Sequence, residues 1–383
     1  MAADASLPRI CVLGSLNMDL VSYVPHHPAP GETLTSNSFA VSPGGKGANQ
    51  AVACAKLSRS RPSAGGSTGA GDRDTGATAH VSMVGAVGAD TYGQELLDSL
   101  GAHGVDVGGV AAAGPLKTGV AVIIVDEPTG QNRIVLSPEA NHQGMAPGDF
   151  AAATWPRVMS MSMSMSVSVA GAGRGQGQGQ GEGTPPDLLV MQLEVPLQTV
   201  LLALAAARRD GVPVLLNPAP AVALPAEAYR GLAHLVVNET EAAALSGLPV
   251  ARLDTEDGCA EAAAVFARRG VEVVIITLGG RGVYYMATGS GPAAAAAAAA
   301  KKEEKEEEVV VVKGLVPAEE VAEVVDTTAA GDTFVGQYAL EVVRSRGGEF
   351  DVEAAVRKSN RAAALTVQRK GAAASIPWRD EVV

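Results

Sequence analysis

Short apolar runs rich in β-branched residues recur along this chain, and each hands over to a small or polar residue and then to a stretch of helical period. Arg9–Gly14, His80–Val87, Leu188–Leu193, Val212–Leu216, Leu235–Val237 and Val271–Thr277 are such runs. A strand that is apolar on both faces needs cover on both sides, and strands separated by helices pair in parallel. The expected fold is therefore α/β: a mostly parallel central sheet flanked by helices, spanning about 9–379. Weaker strands off this pattern, Val21–Tyr23 with Glu32–Val41 and Gly119–Val125 with Gln131–Leu136 around the turn DEPTG, predict a small β-sheet lid from about 20–41 and 118–137. In open parallel sheets ligands sit at the carboxyl ends of the strands, so the polar residues there are the candidates for function.

Composition bounds the rest. The chain has 383 residues, 47% of them hydrophobic, enough to bury a sizeable core, and a formal net charge of -12. That acidity, with no long basic stretch, argues against nucleic acid as a partner. Cys11, Cys54 and Cys259 lack metal-like spacing and are odd in number, as expected of free thiols in a reducing compartment. No apolar run approaches the roughly 20 residues that cross a bilayer, so no membrane association is expected. MAADASLPRI is too short and too acidic for a leader; a cytoplasmic location is expected, or a plastid or other organelle if a transit peptide has been removed. Ser-, Gly-, Gln-, Ala- and Lys/Glu-rich stretches at 58–79, 158–186 and 288–308 cannot bury a core and read as low-complexity inserts; the third is a short solvated helix or a charged loop.

The stretch VDTTAAGDTF, Val325–Phe334, concentrates the chemistry. A β-branched approach to Val325 predicts a strand, Ala329–Gly331 a turn of small residues, and FVGQYALEVV a helix starting near Gly331. The unpaired N–H groups and positive dipole end of such a helix form an anion site, and Ala and Gly let phosphate oxygens approach the backbone. Asp332 in the first turn can take a proton from an attacking hydroxyl while the amides of Ala329, Ala330 and Gly331 stabilise charge on a transferred group. The plainer role is an early-turn acid complementing the dipole.

Other strand ends offer further groups. Asn17 and Asp19 follow the first strand and either grip neighbouring hydroxyls or simply form a turn. In Gly45-Lys46-Gly47, Lys46 can meet a hydroxyl or phosphate and Asn49 faces the same way one turn on; the alternative is a Gly-rich helix start with an incidental Lys, and the spacing is not that of a Walker loop. Glu194 ends the strand Leu188–Leu193. Asn238 begins NETE as a helix cap, with Glu241 either closing the cap or orienting water around Mg²⁺ while Asn238 meets a nucleotide phosphate. Thr277, Gly279 and Gly282 permit close approach of a phosphate to the backbone. Asp326 and Ser375 can supply oxygens to an ion. His26 and His27, in a Pro-rich loop, read as solvated rather than metal-bound.

DTTAAGD, SPGGKGANQA (Ser42–Ala51) and MVGAVGADTYGQEL closely resemble, in order, the signatures of the ribokinase-like (PfkB) sugar kinases. The resemblance runs from about Arg9 to Arg379 once the inserts are allowed for. It implies ATP-dependent phosphorylation of the O5 hydroxyl of D-ribose, with Asp332 as base and Asn17, Asp19, Gly45, Lys46, Gly47, Asn49 and Glu194 around the sugar. For the nucleotide it implies Asn238, Thr277, Gly279, Gly282 and Gly331, with Asn360 against the adenine, and Glu241 holding Mg²⁺ through water. It also implies a monovalent cation, K⁺, on oxygens of Asp326, Thr328, Thr366, Arg369, Gly371 and Ser375, and a homodimer formed through the lid. The alternatives are another sugar or nucleoside kinase of the family, fructokinase-like or adenosine kinase-like, or a catalytically silent member acting as an interaction protein. Asp332, Gly279 and Gly331 speak against silence, since all are present.

Overall fold

The computed structural model describes residues 7–62, 76–160, 185–288, 312–345 and 350–382. The central portions of the expected inserts, 63–75, 161–184 and 289–308, lie outside the described residues.

The apolar runs form the core of a nine-stranded sheet, ordered β13-β12-β11-β10-β9-β8-β1-β4-β5. Its strands are β1 (Arg9–Leu13), β4 (His80–Gly88), β5 (Asp106–Ala113), β8 (Leu188–Met191), β9 (Val214–Leu216), β10 (Leu232–Asn238), β11 (Val271–Thr277), β12 (Val283–Ala287) and β13 (Val312–Val316). From β5 to β11 neighbours are parallel, and β12 and β13 add antiparallel pairs at one edge. Val271–Thr277 shows why this strand is central: both faces of VEVVIIT are largely buried. One face of the sheet packs under the Lys46–Leu57 and Ala330–Arg344 helices, the other under the Leu197–Arg209 and Glu256–Arg268 helices, giving two apolar clusters.

A second sheet, ordered β3-β2-β6-β7, forms the lid. It comprises β2 (Asn17–Val24), β3 (Ser38–Gly44), β6 (Gly119–Asp126) and β7 (Asn132–Ser137). Its central pair, β2 and β6, is parallel, and the outer pairs are antiparallel.

The structure corrects several sequence expectations. Asn17 and Asp19 do not lie in a turn: they are the first and third residues of β2, paired with Gly44 and Ser42 of β3 and with Gly119 and Ala121 of β6. The approach to Val325 is not a strand. It runs as an irregular segment in which Val325 and Asp326 donate their N–H groups to the Val367 carbonyl at 2.7 and 3.1 Å, and Val324 and Val325 face solvent. Further helices span Thr91–Ala102 and Val352–Thr366.

Chain order explains where ligands gather. From β1 the chain moves outward through β4 and β5, then returns to β8 on β1's other side and builds outward the other way. A crevice opens at such a reversal, outside the carboxyl ends of the two diverging strands. Here it lies beyond β1 and β8, where residues 14–19 and 192–194 emerge.

Candidate active site

Helix packing sets the position of Asp332. Gly336 of the Ala330–Arg344 helix faces Ala53 of the Lys46–Leu57 helix so closely that a Cβ at Gly336 would stand 2.4 Å from the Ala53 Cβ. One turn earlier on each helix, the same approach brings Asp332 against Asn49 and Gln50. Asn49 Nδ2 donates to Asp332 Oδ2 at 3.1 Å, and Gln50 Nε2 donates to Oδ1 at 3.0 Å. One amide donor on each oxygen fixes the carboxylate's rotation, and the group is buried apart from its open edge.

Asp332 is the third residue of its helix, which begins at Ala330 after Ala329 in the left-handed conformation (φ 60°, ψ 8°). The Ala330 N–H reaches the Thr327 carbonyl at 3.3 Å, while the amides of Gly331 and Asp332 have no intrahelical acceptor. A Cβ added at Gly331 would meet nothing within 4 Å, so the backbone is open there to an approaching anion. The free amides of Gly331 and Asp332 thus form a donor surface with a carboxylate at its rim.

A second cluster forms at the ends of β1 and β8. Glu194 Oε2 accepts from Ser15 Oγ at 2.6 Å, from the Lys46 N–H at 3.1 Å and from Asn17 Nδ2 at 3.4 Å. Gly45, with φ at 89°, turns β3 into the helix; its missing Cβ would fall 2.7 Å from the Asn17 nitrogen, and that of Gly47 2.5 Å from the Ser15 nitrogen. Both positions therefore need glycine so that the Lys46 loop can lie on the residues following β1. Gly44 makes room in the same way for the Asp19 carboxylate, whose Oδ2 lies 2.1 Å from the place a Cβ would take.

Lys46 stands among these acids. Burial works to lower the Lys46 pKa, but Asp332, Glu194 and Glu241 together raise it above the ordinary lysine value. The reverse holds at Asp19: burial, reinforced by the neighbouring Glu194 and Asp332, pushes its carboxyl up to about 7. Burial likewise raises Glu241, against the lowering effect of its bonds to Asn238 and of Lys46.

At the ends of β10 and β11, Asn238 and Thr277 stand side by side in register. Asn238 caps the Glu239–Ser246 helix: its Oδ1 accepts from the Glu241 N–H at 2.8 Å and Glu241 Oε2 accepts from the Asn238 N–H at 2.9 Å. Thr277 Oγ1 reaches the Val237 carbonyl at 3.4 Å. Gly279 (φ 55°) and Gly282 (φ 102°) turn the chain into β12, with open space at Gly279 and the Val316 carbonyl 2.0 Å from a Cβ at Gly282. Arg281 braces this loop on Glu239 and on the Leu253 carbonyl. Asn360 lies apart on the Val352–Thr366 helix and donates to the Pro317 carbonyl at 3.2 Å.

Of the residues expected around a monovalent cation, the Asp326 carboxylate links Thr328 and Gly371. Asp326 Oδ1 accepts from the Thr328 N–H and Oδ2 from the Gly371 N–H, each at 2.9 Å. Those hydrogen bonds outweigh the desolvation at Asp326 and hold it below the usual carboxylate range. Thr366 Oγ1 bonds Thr333 Oγ1 at 2.9 Å, the Arg369 N–H reaches the Thr366 carbonyl at 3.0 Å, and Ser375 Oγ donates to the Ala372 carbonyl at 2.8 Å. Asp326, Thr328 and Gly371 lie on two loops beside the start of the Ala330–Arg344 helix. Among the described residues no group of three or more His, Cys, Asp or Glu side chains is placed to hold a metal.

Sequence reasoning missed the groups that support these. Ser15 holds Glu194. Asn141, buried on a one-turn helix, accepts from the Leu16 N–H at 2.8 Å and donates to the Leu16 carbonyl at 2.9 Å and to Asn17 Oδ1 at 2.8 Å. The bond to Oδ1 turns the Asn17 amide so that its NH₂ faces Glu194. A serine just past a strand end was a signal for the first; a lone Asn in PEANHQ carried none.

The whole described architecture matches a known group. A sequence model described as pfkB family carbohydrate kinase covers residues 7–379. A ribokinase from Schizosaccharomyces pombe is 38% identical over 378 residues, covering 98% of this chain and 96% of that protein. The crystal structure of a ribokinase from Thermotoga maritima is 31% identical with a TM-score of 0.69, covering 98% of both chains. A ribokinase from Arabidopsis thaliana, solved with ribose and ATP, is 26% identical with a TM-score of 0.71, covering 98% of this chain and 97% of that one. This chain therefore belongs to the pfkB family of carbohydrate kinases.

Proposed function

We propose that this chain transfers the γ-phosphoryl group of ATP to the O5 hydroxyl of D-ribose. The observation that carries the reading is Asp332: a carboxylate held by Asn49 and Gln50 at the rim of the open amides of Gly331 and Asp332, facing the cluster of Asn17, Lys46 and Glu194. The ribose and ATP bound by the Arabidopsis relative name the two substrates this arrangement suits.

In this reading Asn17, Asp19, Asn49 and Glu194 receive the sugar hydroxyls, with Gly45, Lys46 and Gly47 closing over them. Asp332 takes the O5 proton as O5 bonds to the γ-phosphorus and the bond to the bridging oxygen breaks, releasing ADP. The amides from Ala329 to Gly331 and the Lys46 ammonium balance the charge that gathers on the phosphoryl oxygens. Asn238, Thr277, Gly279 and Gly282 hold the phosphates of ATP, and Asn360 stands against the adenine. Mg²⁺, reached by Glu241 through water, would neutralise phosphate charge, and its sparse oxygen partners suit that ion. K⁺ would rest on oxygens of Asp326, Thr328, Thr366, Arg369, Gly371 and Ser375, stiffening the loop before Ala329. One face of the lid bears exposed Phe39, Val41, Val122 and Val135, which a second copy of the chain would cover.

An ATP-turnover assay over pentoses, hexoses and nucleosides, in K⁺ and in Na⁺, tests the reading. Ribose should be preferred and K⁺ should stimulate; turnover of adenosine alone would refute the substrate.

A further inference from the structure

Gln50 is fully buried on the helix that carries Lys46 and Asn49, and every polar atom of its side chain is engaged. Its Nε2 donates to Asp332 Oδ1 and to Asn217 Oδ1, each at 3.0 Å, and its Oε1 accepts from Gln192 Nε2 at 2.5 Å. An amide can in general be turned end for end, and its direction is set only by its neighbours. Here the direction is set by the backbone. The Val236 carbonyl can only accept, so Asn217 must point its Nδ2 there, as it does at 2.9 Å, leaving its Oδ1 toward Gln50. Gln50 must then present its NH₂ to Asn217, and the same NH₂ reaches Asp332. Its oxygen is left for Gln192, whose own Oε1 is buried without a partner.

We infer that Gln50 is a positioning residue for Asp332, its amide oriented by a relay that starts at the Val236 carbonyl, passes through Asn217 and is closed by Gln192. The inference rests on Asp332 being the base. The relay directs a donor onto Oδ1, as Asn49 directs one onto Oδ2, so the carboxylate is held in one rotation with its remaining lone pairs toward the cleft. It also ties the ends of β8, β9 and β10 to the reacting group. Small misplacement of a reacting group lowers rate steeply without weakening binding, which gives the relay a kinetic signature.

Gln50→Met keeps side-chain length and removes the amide. In a folded variant kcat should fall at least about tenfold, with the ribose Kd and the ATP KM within about threefold of the parent. Combined with Asp332→Asn, it should cost nothing further, because it acts only through that carboxylate. A purely structural role would instead shift the unfolding midpoint and both binding constants, and its cost would add to that of Asp332→Asn. A smaller fall in kcat, a loss confined to binding, or additivity overturns the inference. Should Gln50→Met fail to fold, Gln192→Met carries the test. It exchanges the orphan Gln192 oxygen for an unpaired Gln50 Oε1, so the number of buried unpaired oxygens is unchanged, and it should lower kcat at least about threefold with binding unchanged; a smaller fall overturns the relay. Near-normal turnover in Asp332→Asn removes the base itself, whereas a dead Asp332→Asn beside a fully active Gln50→Met removes only the relay.

Discussion

Replacing Asn141 by alanine should separate the cost of supporting the sugar site from the cost of touching the sugar. Its side chain satisfies both backbone groups of Leu16, a residue with no exposed surface, and steers the Asn17 amide toward Glu194. Alanine would strand a buried N–H and a buried C=O, each costing about 1–2 kcal/mol, so the fold should lose about 2–4 kcal/mol. In a domain of this size that lowers the unfolding midpoint by about 3–5 °C. Freed from its donor, the Asn17 amide can turn, and the KM for ribose should rise about tenfold while the KM for ATP is unchanged. Differential scanning fluorimetry and a coupled ADP-release assay read the two effects on one preparation. A midpoint within about 1 °C of the parent, together with an unchanged ribose KM, would refute the reasoning that these hydrogen bonds hold the site.

The carboxyl of Asp19, pushed up to about 7 by burial and then by Glu194 and Asp332, makes a pH prediction with a definite sign. A raised carboxyl stabilises the fold below its unfolded pKa, and that stability is lost as pH rises through about 7. Ribose binding moves the other way: it should tighten from about pH 5.5 to 8 as Asp19 becomes an acceptor, and Asp19→Asn should flatten the profile; a parent profile that is already flat by calorimetric titration would count against the assignment. The lid face predicts a dimer of the 38.6 kDa chain in sedimentation velocity, and Phe39→Glu with Val135→Glu should convert it to single chains. A parent that sediments as a single chain removes that interface.

How much the sequence disclosed depends on how far each signal reaches along the chain. The parallel core was legible because VEVVIIT and its counterparts are buried on both faces and each is followed by a helical period. Asp332 was legible because small residues before a helix and an acid in its first turn are local features. β5 was missed: DVGGVAAA is rich in Gly and Ala, which carry little strand preference, and only the neighbouring β4 makes it a strand. Val324 and Val325 misled in the opposite sense, since β-branched residues form a strand only where a partner edge exists; here the Val367 carbonyl, accepting from Val325 and Asp326, stands where a partner strand would be. The strand that carries Asn17 and Asp19 was not legible locally, because the strands that flank it, β3 and β6, come from other parts of the chain. Gln50, Asn141, Gln192 and Asn217 gave no warning, because a buried amide acquires its role only from groups that folding brings to it.

The central claim is that Asp332 removes the proton from the sugar hydroxyl. Asp332→Asn keeps the size of the side chain and abolishes its basicity, so its steady-state turnover with saturating ribose and ATP is the most direct measurement. A folded protein that still binds both substrates is expected, with kcat lowered by about three orders of magnitude; turnover close to that of the parent would remove Asp332 as the base.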